Sequence, residues 1–205
     1  MTSLDRLILL LTGLLALYLA VHFLQRRQSP ADRRFPLYYF VAFAVLLVAG
    51  LLLIFLGYGV LANPLVVIVA AFIPLALSAG LVAQLYPKYE PAYLIFAIVG
   101  LAAIAVTRFV GPSGLATAVL AVVHGVAGLT IFFAPLATCL AGQRPWSFAL
   151  VTVGGTLIGI GGLALAFLKA GKPILPATFI FAILAPLLLL MTGSFAWGLI
   201  KGGRS

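Results

Sequence analysis

Apolar residues run along this chain in long unbroken blocks, with neither the two-residue alternation of a half-buried strand nor a single stripe at helical spacing. Cut at proline, glycine and charged clusters, the blocks fall at roughly 7–24, 37–58, 65–86, 92–110, 115–140, 147–169 and 177–200. Each is close to the ~20 residues a helix needs to cross ~30 Å of hydrocarbon. Lipid offers no partner to a backbone N–H or C=O, so a segment of this kind must bond internally and form a helix. The connectors are short: "QRRQSPADRR", "GVLANP", "PKYEP", "GPSG", "GQRP" and "AGKPILP". Short connectors make consecutive helices antiparallel neighbours. The pattern predicts an all-α polytopic transmembrane bundle of about seven spans. A single integral membrane domain fills residues 1–205, with no room for an aqueous catalytic module.

Composition sharpens this: 65% hydrophobic and 7% charged residues, with a mean hydropathy of +1.30, lie outside the soluble range. The net charge of +9 would suggest nucleic acid in a soluble chain. Here the basic residues sit mostly in connectors, where cytoplasmic retention of Lys and Arg explains them, and no nucleic-acid partner is expected. With the N-terminus outside, Arg26, Arg27, Arg33, Arg34, Lys88, Arg144, Lys201 and Arg204 are cytoplasmic, leaving Arg6, Arg108, Lys169 and Lys172 outside. That division predicts a cytoplasmic C-terminus and, in a prokaryote, the inner membrane. The basic cluster follows the first span, whereas a cleaved signal carries its charge before the apolar core, so the first span is expected to be retained.

Candidate chemistry is sparse. The only acids are Asp5, Asp32 and Glu90, all predicted outside the spans. Ion-coupled transport usually relies on an intramembrane acid, and paired-acid hydrolysis and carboxylate metal sites need one too. No H-E-x-x-H or C-x-x-C motif occurs, and the lone Cys139 cannot form an internal disulfide. The expectation is a protein without catalytic residues and without a metal site. Seven spans with an outside N-terminus resemble heptahelical receptors in topology only, because residues 177–200 hold no lysine for a Schiff base.

Four features remain. "FIPLALSAG", "FAPLATCLAG" and "LAPLLLLMTG" share a Pro-Leu pattern in odd-numbered spans, either a duplicated hairpin or chance in an Ala- and Leu-rich chain. Their prolines, Pro74, Pro135 and Pro186, each remove a backbone donor and are candidate kink or pore positions. "GGTLIGIGG", Gly154 to Gly162, sits inside an apolar span and so is no phosphate loop. Gly155, Gly159 and Gly162 instead predict close helix packing, within the bundle or against a partner protein or second copy. His124 lies mid-span with Gly125 and Gly128 beside it. It is either a helix-to-helix hydrogen bond or an axial ligand of haem b. His22 is the other histidine, offset by roughly 8–10 Å in depth at ~1.5 Å per residue, awkward for one iron. Arg108 is expected to snorkel to the headgroups, and the tyrosines and tryptophans to form interfacial belts.

Three functions fit: a non-catalytic protein acting through association as a complex subunit or a sensing or anchoring module; a channel or facilitator for a small neutral solute; and a haem b or quinone-associated electron-transfer subunit.

Overall fold

The computed structural model describes residues 1–26, 34–169 and 173–203. Arg27, Asp32, Arg33, Lys172 and Arg204 therefore lie outside the described residues. The seven predicted spans are seven helices long and apolar enough to cross a membrane. They are α1 (Ser3–Arg26), α2 (Phe35–Leu56), α3 (Pro64–Leu85), α4 (Glu90–Val110), α5 (Ser113–Leu140), α6 (Leu150–Lys169) and α7 (Ala177–Lys201). Among the described residues there is no strand. The chain is an integral membrane protein built as a helical bundle.

Local chemistry sets the helix ends. The α1 start is a reciprocal cap: the Thr2 amide donates to Asp5 Oδ2 at 2.7 Å, and the Asp5 amide donates to Thr2 Oγ1 at 3.1 Å. At the end of α2, Gly57 takes φ 72°, a left-handed value that glycine adopts without strain, and its amide donates to the Leu53 carbonyl. A 3-10 turn over Tyr58–Ala62 follows. Asn63 then caps α3 by accepting from the Leu65 amide at 2.9 Å, with Pro64 at the first helical position. Pro87–Tyr89 form a second 3-10 turn ahead of α4, and Trp146–Ala149 a third that leads into α6.

Six helices close into a ring in the order α1, α2, α3, α5, α6, α7, with α7 returning to α1; α4 packs outside it against α3 and α5. One end of the bundle, here the amino end, carries the start of α1 and the α2–α3, α4–α5 and α6–α7 connections. The carboxyl end carries the other connections and Gly203.

Among the described residues, buried side chains meet across the ring in its main core. One continuous cluster draws on every ring helix, including Leu19 and Phe23 of α1, Tyr39 and Phe43 of α2, Ile131 of α5 and Phe195 of α7. Phe23 and Phe43 stack with centroids 6.1 Å apart, Tyr39 lies 4.9 Å from Phe23, and Phe195 meets Phe43 at 6.5 Å. Tyr39 corrects the interfacial-belt expectation, since it is 1% exposed inside this plug. A Cβ at Gly80 would fall 2.5 Å from the Tyr39 ring, so the glycine is what lets that ring lie against α3. Other aromatics do face outward near helix ends, among them Tyr86, Tyr89, Trp146 and Trp197. A smaller cluster joins α3, α4 and α5 through Ala71, Ile104 and Ala127. At the amino end Tyr58 stacks on Phe181 at 5.3 Å, and burial, helped by the Asp5 carboxylate, pushes its phenol up to about 12.

Candidate functional site

His124 sits in the middle of α5 and is partly buried. Its Nδ1 is shielded from solvent, and the group nearest to serving as its partner is the Leu120 carbonyl one turn earlier. Gly125 and Gly128 beside it are exposed, and a Cβ on either would meet nothing within 4 Å. His22 packs against the Tyr18 and Phe23 rings on α1. In the ring α1 and α5 stand opposite one another. That separation adds to the depth offset between the two imidazoles. Among the described residues no group of three or more His, Cys, Asp or Glu is placed to hold a metal ion.

Arg108 lies two residues before the end of α4 and is partly buried. Its Nε is buried without a hydrogen-bond partner. Side chains lean toward the N-terminus of their own helix, so Arg108, near the end of α4, leans back along that helix. An unsatisfied buried donor costs roughly 1–3 kcal/mol, and a charged one more. Neither described acid offsets this: Asp5 is tied to Thr2 in the α1 cap, and Glu90 accepts from Tyr38 Oη at 2.8 Å at the far end of α4.

The glycine-rich helix α6 uses its two sides differently. A Cβ at Gly155 would fall 2.6 Å from Ile131 Cγ2 of α5, and one at Gly154 would fall 2.7 Å from the Phe195 ring of α7. Gly161 approaches Leu187 of α7. Gly159 and Gly162 are exposed and would place a Cβ in open space. Close packing inside the bundle therefore runs through Gly154, Gly155 and Gly161, while Gly159 and Gly162 face away from it.

Pro74, Pro135 and Pro186 lie inside α3, α5 and α7. Ser78 and Thr138 donate back to carbonyls at or beside their prolines, at 2.6 Å to Pro74 and 2.9 Å to Pro135. Near Pro135 of α5 a second helix contributes: Thr152 of α6 donates to the Phe132 carbonyl at 2.8 Å. Such a bond satisfies backbone that a proline loosens, where no water is at hand. It also pins α5 to α6 one residue from the Ile131–Gly155 contact.

Two further features lie toward the carboxyl end. Tyr39 Oη donates to Gln84 Oε1 at 2.8 Å, and Gln84 Nε2 and Arg144 Nη1 both donate to the Gly203 carbonyl, at 3.4 and 3.1 Å. Arg144 also lies 5.7 Å above the Phe148 ring, so the chain end is latched across α2, α3 and the α5–α6 turn. Between α4 and α5 an apolar groove of about 780 Å³ opens outward, lined by Tyr86, Tyr89, Tyr93, Phe96, Thr130 and Phe133 among others. Comparison of the chain with protein-family models, with curated proteins and with solved structures finds no match in any of the three.

Proposed function

We propose that this chain is a non-catalytic membrane protein that works through association, as the membrane subunit of a larger complex or an anchoring module. The observation that carries the reading is the open glycine surface. The Ile131–Gly155 contact sets the register of antiparallel α5 and α6. Stepping from it toward the amino end brings Gly159 and Gly162 level with the region of Gly128 and Gly125. All four would place a Cβ in open space. In lipid, helices gain no hydrophobic drive by meeting, so surfaces that let backbones approach closely are where association is strongest. A transmembrane helix of a partner chain or of a second copy fits that surface.

The filled ring weighs against a solute channel, and the opposed histidines weigh against a bis-imidazole haem within one chain. Of the described cations, Arg26, Arg34, Lys88, Arg144 and Lys201 lie toward the carboxyl end, and Arg6 and Arg108 toward the amino end. The excess at the carboxyl end supports a cytoplasmic C-terminus by the positive-inside rule.

The test is a double variant, Gly159→Leu with Gly162→Leu. Neither new side chain meets the bundle, and leucine is the better helix former by about 1 kcal/mol per site. Thermal stability in detergent is expected to hold or rise, while assembly in native-lipid nanodiscs, counted by single-molecule photobleaching and mass spectrometry, is lost. A parent chain that is monomeric and unaccompanied in those nanodiscs ends the reading, as does a variant that assembles normally.

A further inference from the structure

We propose that the groove between α4 and α5 seats one anionic phospholipid, with its alkyl chains along the groove and its phosphate at Lys88. The site goes beyond the association reading, and none of the open glycines Gly125, Gly128, Gly159 and Gly162 lines it.

The packing of α4 against α5 makes the groove. A Cβ at Gly100 would fall 3.0 Å from Val123 Cγ1, so the two helices meet closely near mid-span. Toward the carboxyl end they stand apart, with Tyr93 and Phe96 on one wall, Leu129 and Phe133 on the other, and Val82 contributed by α3. The groove therefore closes in the middle of the membrane and opens toward the carboxyl end.

Length and section select the occupant. On α5 the lining runs from Val126 to Ala137, a rise of about 16 Å at ~1.5 Å per residue. Half of a ~30 Å hydrocarbon core is about 15 Å, the reach of an alkyl chain in one leaflet. The volume of about 780 Å³ over that length leaves a mean section of roughly 50 Å². A helix about 10 Å across needs roughly 80 Å². One or two alkyl chains fit, and a transmembrane helix does not.

Polar groups stand where such a lipid carries its own. Tyr93 lies four residues beyond Tyr89, about 6 Å deeper. Its Oη is 3.4 Å from Thr130 Oγ1, longer than the ~2.5–3.0 Å of an O–H···O bond. Thr130 gives its own proton to the Val126 carbonyl at 2.8 Å. Tyr93 is thus a donor with room for a better acceptor, at the depth of a lipid ester below its phosphate. At the mouth, Tyr86 and Tyr89 line the groove, and Lys88 stands exposed between them on the 3-10 turn. Glu90, the nearest acid in sequence, accepts from Tyr38 Oη of α2 at 2.8 Å. Among the described residues no acid lines the groove, so its charge complement is an anion. An exposed cation between tyrosines at a span end suits a lipid phosphate. A zwitterionic headgroup gains less, because its ammonium meets no acid there.

The purified chain in mild detergent, titrated with phosphatidylglycerol or with phosphatidylcholine of the same acyl chains and read by native mass spectrometry, tests this. The chain should retain about one phosphatidylglycerol, roughly fivefold more tightly than phosphatidylcholine, the preference one lysine near a lipid headgroup provides. Lys88→Gln should remove that preference and leave phosphatidylcholine binding unchanged. Tyr93→Phe removes only the hydroxyl and should weaken both lipids about threefold. Ala92→Trp with Ala137→Trp, both at exposed positions in the lining, should fill the groove and abolish retention of both lipids at unchanged thermal stability. A phosphatidylglycerol carrying a diazirine on its acyl chain should crosslink to Phe96, Leu129 or Phe133. If the tryptophan pair unfolds the chain, Lys88→Gln on its exposed turn and the crosslinks decide alone. Equal retention of the two lipids by the parent, a preference that survives Lys88→Gln, retention by a folded tryptophan pair, or crosslinks confined to other helices would each overturn the assignment.

Discussion

A chain carrying Gly198→Leu is expected to unfold well below the parent in mild detergent, losing about 3 kcal/mol, the upper end of overpacking costs. Gly198 lies on α7 against the first turn of α6. A Cβ there would fall 2.8 Å from Val151 Cγ2, 2.9 Å from the Val151 backbone nitrogen and 3.3 Å from the Leu150 carbonyl carbon. A side chain can rotate away from an intruder, but a helical backbone cannot. Helix α7 would have to move off α6, taking Phe195 and Leu199 out of the main core. Thermal unfolding followed by Trp146 and Trp197 fluorescence reads the loss, with Gly159→Leu as an internal control expected to show none. A Gly198→Leu chain as stable as the parent would mean that α6 and α7 do not meet at this point.

Phe195→Ala should cost about 2 kcal/mol. In soluble proteins the same change costs ~3–5 kcal/mol, part of it the transfer of apolar surface from water. In a bilayer lipid tails replace water as the reference, so the loss is mainly packing: dispersion contacts forfeited around a void. Phe195 is 2% exposed, meets Phe43 across the ring and fills the space that Gly154 leaves open. Its position where three helices converge leaves the void little freedom to collapse. Resistance to unfolding by added sodium dodecyl sulfate measures the change, and Phe195→Leu, which refills most of the volume, should recover much of it. An Ala variant indistinguishable from the parent would show that this core is loosely packed.

Much of the architecture was legible because the bilayer imposes it. A run such as Phe35–Leu56, apolar throughout and bounded by Arg34 and Gly57, has no alternative to a helix in hydrocarbon, and its ends are written in proline, glycine and asparagine. Which helices meet was harder to read. Spans apolar on every side carry no stripe to mark an inner face, so the α3–α5 and α1–α7 contacts that close the ring leave no local trace. Tyr39 shows the same limit. It sits near a span end, where tyrosine usually marks the interface, and only the space provided by Gly80 on another helix draws it inside.

The candidate site was half visible. His124 stood out as an ionisable residue in mid-span, and the glycine cluster stood out by composition. Small-residue spacing could not separate Gly155, which packs on Ile131, from Gly159, which faces open space, because α6 carries glycine on both sides. Arg108 stood out as a charge near a span end, but its chain position gave its depth and not the burial of its Nε.

That function resides on the outer faces of the bundle depends on a dry interior, and thiol accessibility tests this most directly. Cys139, the native cysteine, is 4% exposed, and Ser78 and Thr192 on α3 and α7 are fully buried. Cys139 in the parent, and Ser78→Cys or Thr192→Cys in a Cys139→Ala background, would be treated in liposomes with a water-soluble maleimide. The account predicts no labelling until the protein is unfolded in detergent. Rapid labelling of Ser78→Cys and Thr192→Cys in the folded protein would reveal water inside the ring and contradict it.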